Sequence, residues 1–316
     1  MSVSLRHEVP PHAPEGGWAR RVLGPFHVTG VFWFRFHCFG IRILPLWALP
    51  WMLVLFTSFF WIALRKIRAA IASNLEAVLG PCGWWERQAR MFRTLRTFAW
   101  CLTERYERLS TDRDFSIEAE GLEHMASLDQ GFILVTAHLG SWEVGSMVPA
   151  SQDGRRVHVV REAETDPRAQ EFIRDLIRSR GGELYITHFA EDPRLGMDLL
   201  DALRGGEIVA LQGDRPRSGG RTVEGTLFGR PYPLPVGTVA LARAAEVPLV
   251  PVFVFRDGRR QYRCTVRPAI HVAQSGDRQR DLEHALERFT AELEAAIRRA
   301  PYQWFCFRRL WNGKTR

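Results

Sequence analysis

The chain has 316 residues and 46% of them are hydrophobic, which is enough for one large domain with a buried core and excludes disorder of the whole chain. Its formal net charge of +8 indicates a basic surface, and its 11 tryptophans suit a membrane–water interface. Nucleic acid and anionic membrane are therefore the two partners to consider. The five cysteines form no C-x-x-C pair, which excludes a zinc knuckle and a thioredoxin-like redox site and favours a reducing compartment.

The N-terminal part divides into a tail and an apolar segment. Residues 1–30 contain a Pro/Gly-rich stretch and are predicted to form a mobile tail. Within residues 31–68, the run from Ile43 to Leu64 has no charged residue, and a helix needs about 20 apolar residues to cross a bilayer core. Because tryptophans and basic residues lie at both ends of this run, residues 31–68 are predicted to anchor the chain in a membrane.

Two prolines leave the mode of insertion open. Pro45 and Pro50 would shorten the regular helix, so the segment either spans the membrane or lies in its interface, and a buried core helix is the alternative. If the segment spans, the dense basic residues that follow it would keep the rest of the chain cytoplasmic. Farther on, Trp84 to Leu109 repeats apolar residues at helical spacing with arginines between them, which predicts a helix that faces the core or lies on anionic lipid.

The body of the chain alternates short aliphatic runs with longer amphipathic ones, which predicts an α/β fold with a mixed, mostly parallel sheet flanked by helices, behind an N-terminal membrane-anchoring helix. The strand candidates are Phe132–Thr136, Val157–Val160, Ile208–Leu211, Leu249–Phe255 and Tyr262–Val266. The helix candidates are Arg168–Ser179, Leu195–Leu203, Val236–Ala245 and Arg280–Arg299.

The stretch "VTAHLGSWE" carries the chemistry. His138 follows a predicted strand and precedes a glycine and a serine suited to a turn and a helix start, which is where open α/β sheets build their sites. A histidine there can accept a proton from a hydroxyl, and Glu143 in the next helix could orient the imidazole. The spacing alone is weak, because His124 and Asp129 share it, and a strand-end histidine bonded only to the backbone is the alternative.

Other catalytic classes lack their motifs. The chain has no G-x-S-x-G elbow, no P-loop and no H-E-x-x-H pair, so an activated external hydroxyl fits better than a covalent enzyme or a catalytic zinc.

Several segments, taken in order from about Trp33 to Trp311, resemble the lipid A biosynthesis acyltransferase family, which is related to the glycerolipid acyltransferases. Besides the anchor, the resemblance rests on "RKIRAAIASNLEAVLG" at 65–80, "TAHLGSWE" at 136–143, "VVR" at 159–161, R-x-x-x-G at 178–182, "LQGDRP" at 211–216 and "APYQWFCFRRLW" at 300–311.

The resemblance implies acyl transfer by residues 69–316 from an acyl carrier protein or coenzyme A thioester to a hydroxyl of a membrane glycolipid. The site would lie on the cytoplasmic face of an anionic bacterial inner membrane. His138 would be the general base and Glu143 its partner. Arg178 would stabilise the oxyanion or the donor phosphate. Asp214 would line the same cleft and hold the donor or the surroundings of His138, and Arg215 and Arg161 would contact phosphate. The resemblance implies no metal, cofactor or nucleic acid.

The acceptor stays open at this stage. The tail and "RPRSGGRTVEGTLFGRP" look closer to relatives that make other acylated products, such as aryl-polyene lipids, so a lipid A precursor, an aryl-polyene lipid and a phospholipid-like acceptor are alternatives. A non-catalytic basic module that binds nucleic acid or anionic lipid is the alternative from another class, and it makes no use of His138 or Glu143. A hydrolase on an α/β sheet is the third.

Overall fold

The structure is a computed structural model, and it describes residues 31–142, 154–162, 168–172, 174–175, 184–216 and 220–311. The predicted tail, Glu143 and Arg178 lie outside the described residues, as does part of the predicted helix Arg168–Ser179.

Four helices of the described residues precede the sheet. They are α1 (Val31–Ile43), α2 (Leu49–Ala63), α3 (Arg65–Leu79) and α4 (Trp84–Ser110). The predicted single apolar segment is therefore divided, since α1 ends at Ile43 and Pro50 lies in the first turn of α2. At about 1.5 Å per residue, the 15 residues of α2 extend about 22 Å, which is shorter than a bilayer core of about 30 Å. None of the described helices is both long enough and apolar enough to span a membrane, so the spanning helix that the sequence allowed is not found among them.

Helix α4 begins where its apolar spacing predicts and ends one residue later, and it packs against the helices before it. Cys38 and Ile41 of α1 cluster with Tyr106, and Leu49 and Leu53 of α2 cluster with Trp100. The side of α4 that faces the other helices is thus a core face, which confirms one of the two roles predicted for it.

Buried carboxylates of α4 hold it to the sheet. Glu104 is fully buried and accepts two hydrogen bonds of 2.8 Å from the guanidinium of Arg256, together with a short one from the hydroxyl of Tyr262. Glu107, also fully buried, pairs with Arg260 and Arg113. Because a buried charge is costly unless it is paired, these contacts fix the position of α4 relative to the sheet.

The central sheet has seven strands in the order β1-β9-β8-β2-β5-β3-β4. Their bounds are Ser116–Glu120 (β1), Phe132–Thr136 (β2), Val157–Arg161 (β3), Tyr185–Phe189 (β4), Ile208–Gln212 (β5), Leu249–Gly258 (β8) and Gln261–Val266 (β9). All neighbouring pairs are parallel except β8 and β9, which are antiparallel. The predicted mixed, mostly parallel sheet is confirmed, and β1 and β4 are strands that the sequence patterns missed.

Four further helices in the described part of the chain cover the sheet. They are α5 (Glu123–Ala126), α6 (Leu195–Arg204), α7 (Gly237–Ala245) and α8 (Arg278–Arg299). Ile133 and Val135 of β2 pack into one large apolar cluster with α6, α7 and α8, whereas Phe132 and Leu134 face a second cluster on the other side. All five residues of β2 are buried, as expected for the centre of a parallel sheet.

A separate hairpin lies between β5 and α7, where the sequence patterns predict no strand. Strands β6 (Thr222–Leu227) and β7 (Arg230–Pro235) form an antiparallel two-stranded sheet. The three prolines of β7 concealed this strand in the sequence, and they are tolerated because both strands of a two-stranded sheet are edges. Tyr232 and Leu234 alternate with the prolines and are buried in the large apolar cluster.

Candidate active site

Three predicted site residues lie at the carboxyl ends of neighbouring parallel strands. His138 follows β2, Asp214 follows β5, and Arg161 is the last residue of β3. These strands are adjacent in the order β2-β5-β3, so their carboxyl ends meet at one edge of the sheet. Open α/β sheets bind their ligands at such an edge.

A hydrogen bond of 2.7 Å joins Nδ1 of His138 to Oδ1 of Asp214. The Asp214 side chain is completely buried, whereas the imidazole is 23% exposed. Because an ionised carboxylate only accepts hydrogen bonds, the proton of the neutral imidazole is on Nδ1. Nε2 is then the ring nitrogen with a lone pair for proton transfer, and Asp214 would stabilise the imidazolium that forms.

The buried carboxylate of Asp214 is held ionised. Burial raises its pKa, but the charge and the hydrogen bond of His138, the Arg215 guanidinium and the indole of Trp304 outweigh burial and lower the pKa to about 2. The indole N–H of Trp304 donates to Oδ2 at 3.2 Å, so each carboxylate oxygen has a donor. The hydroxyl of Tyr232 donates to the main-chain carbonyl of Asp214 at 3.0 Å, which fixes the backbone as well.

Glycines allow the loops after β2 and β5 to pack closely against neighbouring elements. Gly140 has φ of 56°, and a Cβ there would lie 2.0 Å from the carbonyl oxygen of Val254. At Gly213, a Cβ would lie 2.8 Å from the ring of Phe289. The backbone on each side of the His138–Asp214 pair is therefore packed too closely for a side chain.

The predicted arginines have different positions. Arg161 lies at the end of β3 with its guanidinium 5.9 Å from the ring of Trp142. Arg215 adjoins Asp214, and its charge acts on that carboxylate. Arg178 is outside the described residues, so its role stays a prediction.

The orienting carboxylate is the main difference from the sequence-based expectation. Glu143 was predicted to hold the imidazole, but it is outside the described residues, and its role stays a prediction. Nδ1 of His138 is bonded to Asp214, a residue that was expected to line the cleft and to hold the donor or the surroundings of His138.

Sequence reasoning missed Trp304 and Tyr232. Trp304 lies in a C-terminal motif that carried part of the family resemblance, so the motif was visible although its contact with Asp214 was not. Tyr232 had no signal beyond its place between two prolines. Among the described residues, no group of three or more His, Cys, Asp or Glu side chains is arranged to hold a metal ion.

A family model described as bacterial lipid A biosynthesis acyltransferase matches residues 25–313. The chain belongs to this family. It is thus an acyltransferase that acts on lipids.

Comparisons with individual proteins add little to this assignment. The acyltransferase is similar to a solved structure titled as the 1-acyl-sn-glycerophosphate (LPA) acyltransferase PlsC from Thermotoga maritima, with 16% identity and a TM-score of 0.36. The similarity covers 78% of this chain and 96% of that chain. No curated protein matches the acyltransferase.

Proposed function

We propose that the protein transfers a fatty acyl chain from an acyl carrier protein or coenzyme A thioester to a hydroxyl of a membrane glycolipid of the lipid A precursor type. The observation that carries the proposal is the hydrogen bond between Nδ1 of His138 and the buried, ionised Asp214. This pair suits the deprotonation of a hydroxyl, which is the step that O-acyl transfer requires. Family membership supports the lipid acceptor.

The reaction needs one base and no covalent enzyme intermediate. Nε2 of His138 takes the proton of the acceptor hydroxyl while its oxygen attacks the thioester carbonyl carbon. The carbonyl electrons move to oxygen, and the tetrahedral intermediate collapses by breaking the carbon–sulfur bond. The departing thiolate takes the proton from Nε2, which gives an ester and a free thiol. Asp214 keeps Nδ1 protonated and balances the imidazolium charge throughout.

Arginines serve the donor in this proposal. The guanidinium fork suits phosphate and oxyanion binding because it gives paired, charged hydrogen bonds. Arg178 is assigned to the oxyanion or the donor phosphate on the basis of the family resemblance alone. Arg161 is the last residue of β3, on the sheet edge that carries the His138–Asp214 pair, and it and Arg215 are the further candidates for phosphate contacts.

The proposed location is the cytoplasmic face of a bacterial inner membrane, with α1 and α2 lying in the interface. Fourteen of the 15 large hydrophobic side chains that are exposed in the described residues lie between Phe32 and Trp85, and Met197 is the other. Four of them recur along the outer side of α1 and four along that of α2, at helical spacing. They are Phe32, Phe36, Phe39, Ile43, Trp51, Leu55, Phe59 and Ile62.

Basic residues border this apolar surface. Arg42, Arg65 and Lys66 are exposed at the ends of α1 and α2, and Arg87 is exposed beside Trp84 and Trp85. Apolar side chains flanked by Lys and Arg are the composition that binds anionic lipid interfaces.

The test of the transfer is lipid mass spectrometry on membranes incubated with the protein and an isotope-labelled acyl carrier protein thioester. A parallel reaction uses the coenzyme A thioester. His138→Ala is expected to abolish labelling, whereas His124→Ala, at the other H-x4-acid match, is expected to leave it unchanged. Label in a glycolipid supports the proposal, label in a phospholipid assigns the acceptor differently, and equal labelling by His138→Ala and the parent refutes the catalytic role.

The test of the location is sedimentation with vesicles that contain anionic phospholipid. Trp51→Ser combined with Phe59→Ser should weaken binding at least about tenfold, because two exposed apolar side chains are lost from the interface. Met197→Ser is the matched control, since Met197 is 66% exposed but lies on α6. Equal binding by all three proteins would contradict the interfacial placement.

A further inference from the structure

The C-terminal segment returns to the loop that carries His138. We call residues 303–310 the C-terminal strap. Gly140 donates its backbone N–H to the carbonyl of Gln303 at 2.9 Å, and Phe305 donates its own to the carbonyl of His138 at 2.8 Å. Two backbone hydrogen bonds therefore join the strap to the candidate base and to the glycine that follows it.

Trp304 lies at the centre of this pairing, opposite Leu139, and is only 3% exposed. Its indole N–H donates to Oδ2 of Asp214, while Oδ1 of the same carboxylate accepts from His138. The strap thus contacts both members of the pair, one through the backbone and the other through a single side chain.

Two side chains fix the strap on either side of Trp304. The Gln303 amide accepts from the backbone N–H of Arg256 at 2.8 Å and donates to its carbonyl at 2.9 Å, which joins the strap to β8. Asn74 of α3 is 2% exposed and bonds three backbone groups of the strap. These are the carbonyls of Cys306 and Arg308, at 3.0 and 2.9 Å, and the N–H of Leu310, at 3.2 Å.

We propose that Trp304 is a positioning residue for acyl transfer, and that the C-terminal strap exists in part to hold its indole N–H against Asp214. The proposal rests on the proposed function of the His138–Asp214 pair. The indole bond fixes the rotation of the carboxylate, so that Oδ1 stays directed at Nδ1 of His138. Without that bond, Oδ2 would be a buried acceptor with no donor. The carboxylate would then rotate so that both of its oxygens share the Nδ1–H group of His138.

The charged and titratable groups around Asp214 come from four elements. They are His138 after β2, Arg215 after β5, Tyr232 on β7, and Cys306 and Arg308 of the strap. The loss of the indole would leave the charge of Arg215 unchanged. A change in the proton affinity of the His138–Asp214 pair can therefore be assigned to the missing indole donor.

Trp311 provides a matched control. It is buried like Trp304 and lies near the same end of the chain, but its indole N–H has no hydrogen-bond partner among the residues that the structure describes. Replacement by phenylalanine removes the same atoms at both positions. A role of Trp304 in packing alone would make the two replacements equivalent.

The experiment compares Trp304→Phe and Trp311→Phe as full-length proteins in detergent, with the thioester donor in steady-state assays. Trp304→Phe is expected to lower kcat at least about tenfold with KM for the donor unchanged. Because the lost donor favoured the ionised carboxylate, the pair should bind a proton more tightly, and the acid limb of the kcat/KM profile should move up by about half a pH unit or more. Trp311→Phe should retain the parental kcat and the parental acid limb of the kcat/KM profile.

A second readout does not depend on transfer. In ¹⁵N-histidine-labelled protein, the proton signal on Nδ1 of His138, assigned by its loss in His138→Gln, should shift in Trp304→Phe and stay unchanged in Trp311→Phe. A parental signal and a parental kcat in Trp304→Phe would overturn the proposal, as would equal effects of the two replacements. If the parent transfers no acyl chain, the proposed function fails, and the signal alone decides the positioning role.

Discussion

Asp214→Asn tests the orienting role of the carboxylate. The two side chains have nearly the same shape, so the variant should fold, but an amide has one acceptor and one donor end. The indole N–H of Trp304 requires an acceptor, so the amide oxygen should turn toward Trp304 and the NH₂ group toward His138. Nδ1 would then have to accept, and the imidazole proton would move to Nε2, where it blocks base catalysis.

The expected loss follows from this change of tautomer. A positioned general base contributes roughly 10²- to 10⁴-fold, and an orienting Asp→Asn change that fixes the wrong tautomer costs about 10⁴-fold in a serine protease. We expect kcat to fall about 10³-fold, which corresponds to roughly 4 kcal/mol of activation free energy. The KM for the thioester should change little, because the Asp214 side chain is buried behind His138 and acts on the reaction only through the imidazole.

Initial rates with labelled acyl thioester, at matched protein concentration and with thermal melting as a check of folding, measure this loss. Glu143→Gln is the parallel variant, because Glu143 was predicted to be the partner of His138. A loss of less than tenfold in a folded Asp214→Asn protein would refute the assignment of Asp214. A large loss in Glu143→Gln alone would restore the partner predicted from the sequence.

Combining Asp214→Asn with Trp304→Phe sharpens the result. Once the indole donor is gone, the amide is free to turn its oxygen toward Nδ1, so the second change should raise the activity of Asp214→Asn although it lowers that of the parent. A further loss in the double variant would show that the amide is not oriented by Trp304.

Three further predictions concern stability and the loop. The depressed pKa of Asp214, from 3.8 to about 2, contributes stability that is fully present above about pH 4 and is lost as the pH falls toward 2. Between pH 4 and pH 2, urea unfolding should therefore show the parent losing roughly 2 kcal/mol more than Asp214→Asn, and parallel losses would contradict it. Gly140→Ala should lower both the melting temperature and kcat, since φ is 56° and the added Cβ would meet the Val254 carbonyl. Gly229→Ala is the control, because Gly229 also has a positive φ but no neighbour within 4 Å, and it should affect only stability. Glu104→Ala should cost about 3–5 kcal/mol in the same unfolding assay, because it leaves the Arg256 charge buried without its carboxylate. A cost under about 1 kcal/mol would show that the Glu104–Arg256 pair does not hold α4 to the sheet.

Local patterns in the sequence were sufficient where the structure is locally determined. The bounds of β2 are those predicted and α4 ends one residue later than predicted, because an aliphatic run and a helical period each report the burial of a single element. The position of His138 after a central strand also followed from its neighbours alone. The strands β1 and β7 were missed because one is half exposed at the sheet edge and the other contains three prolines.

The sequence by itself determined the fold class and the family and predicted the base, since each inference rests on short runs of neighbouring residues. Only the tertiary structure decided what holds the candidate base. Asp214 is 76 residues from His138, and Trp304 is 90 residues from Asp214, and no local periodicity reports a contact over such a separation. The sheet order places the ends of β2 and β5 side by side, and the C-terminal strap completes the pair from a third direction. Such contacts arise from the packing of the whole domain, so they could be found only in the folded chain.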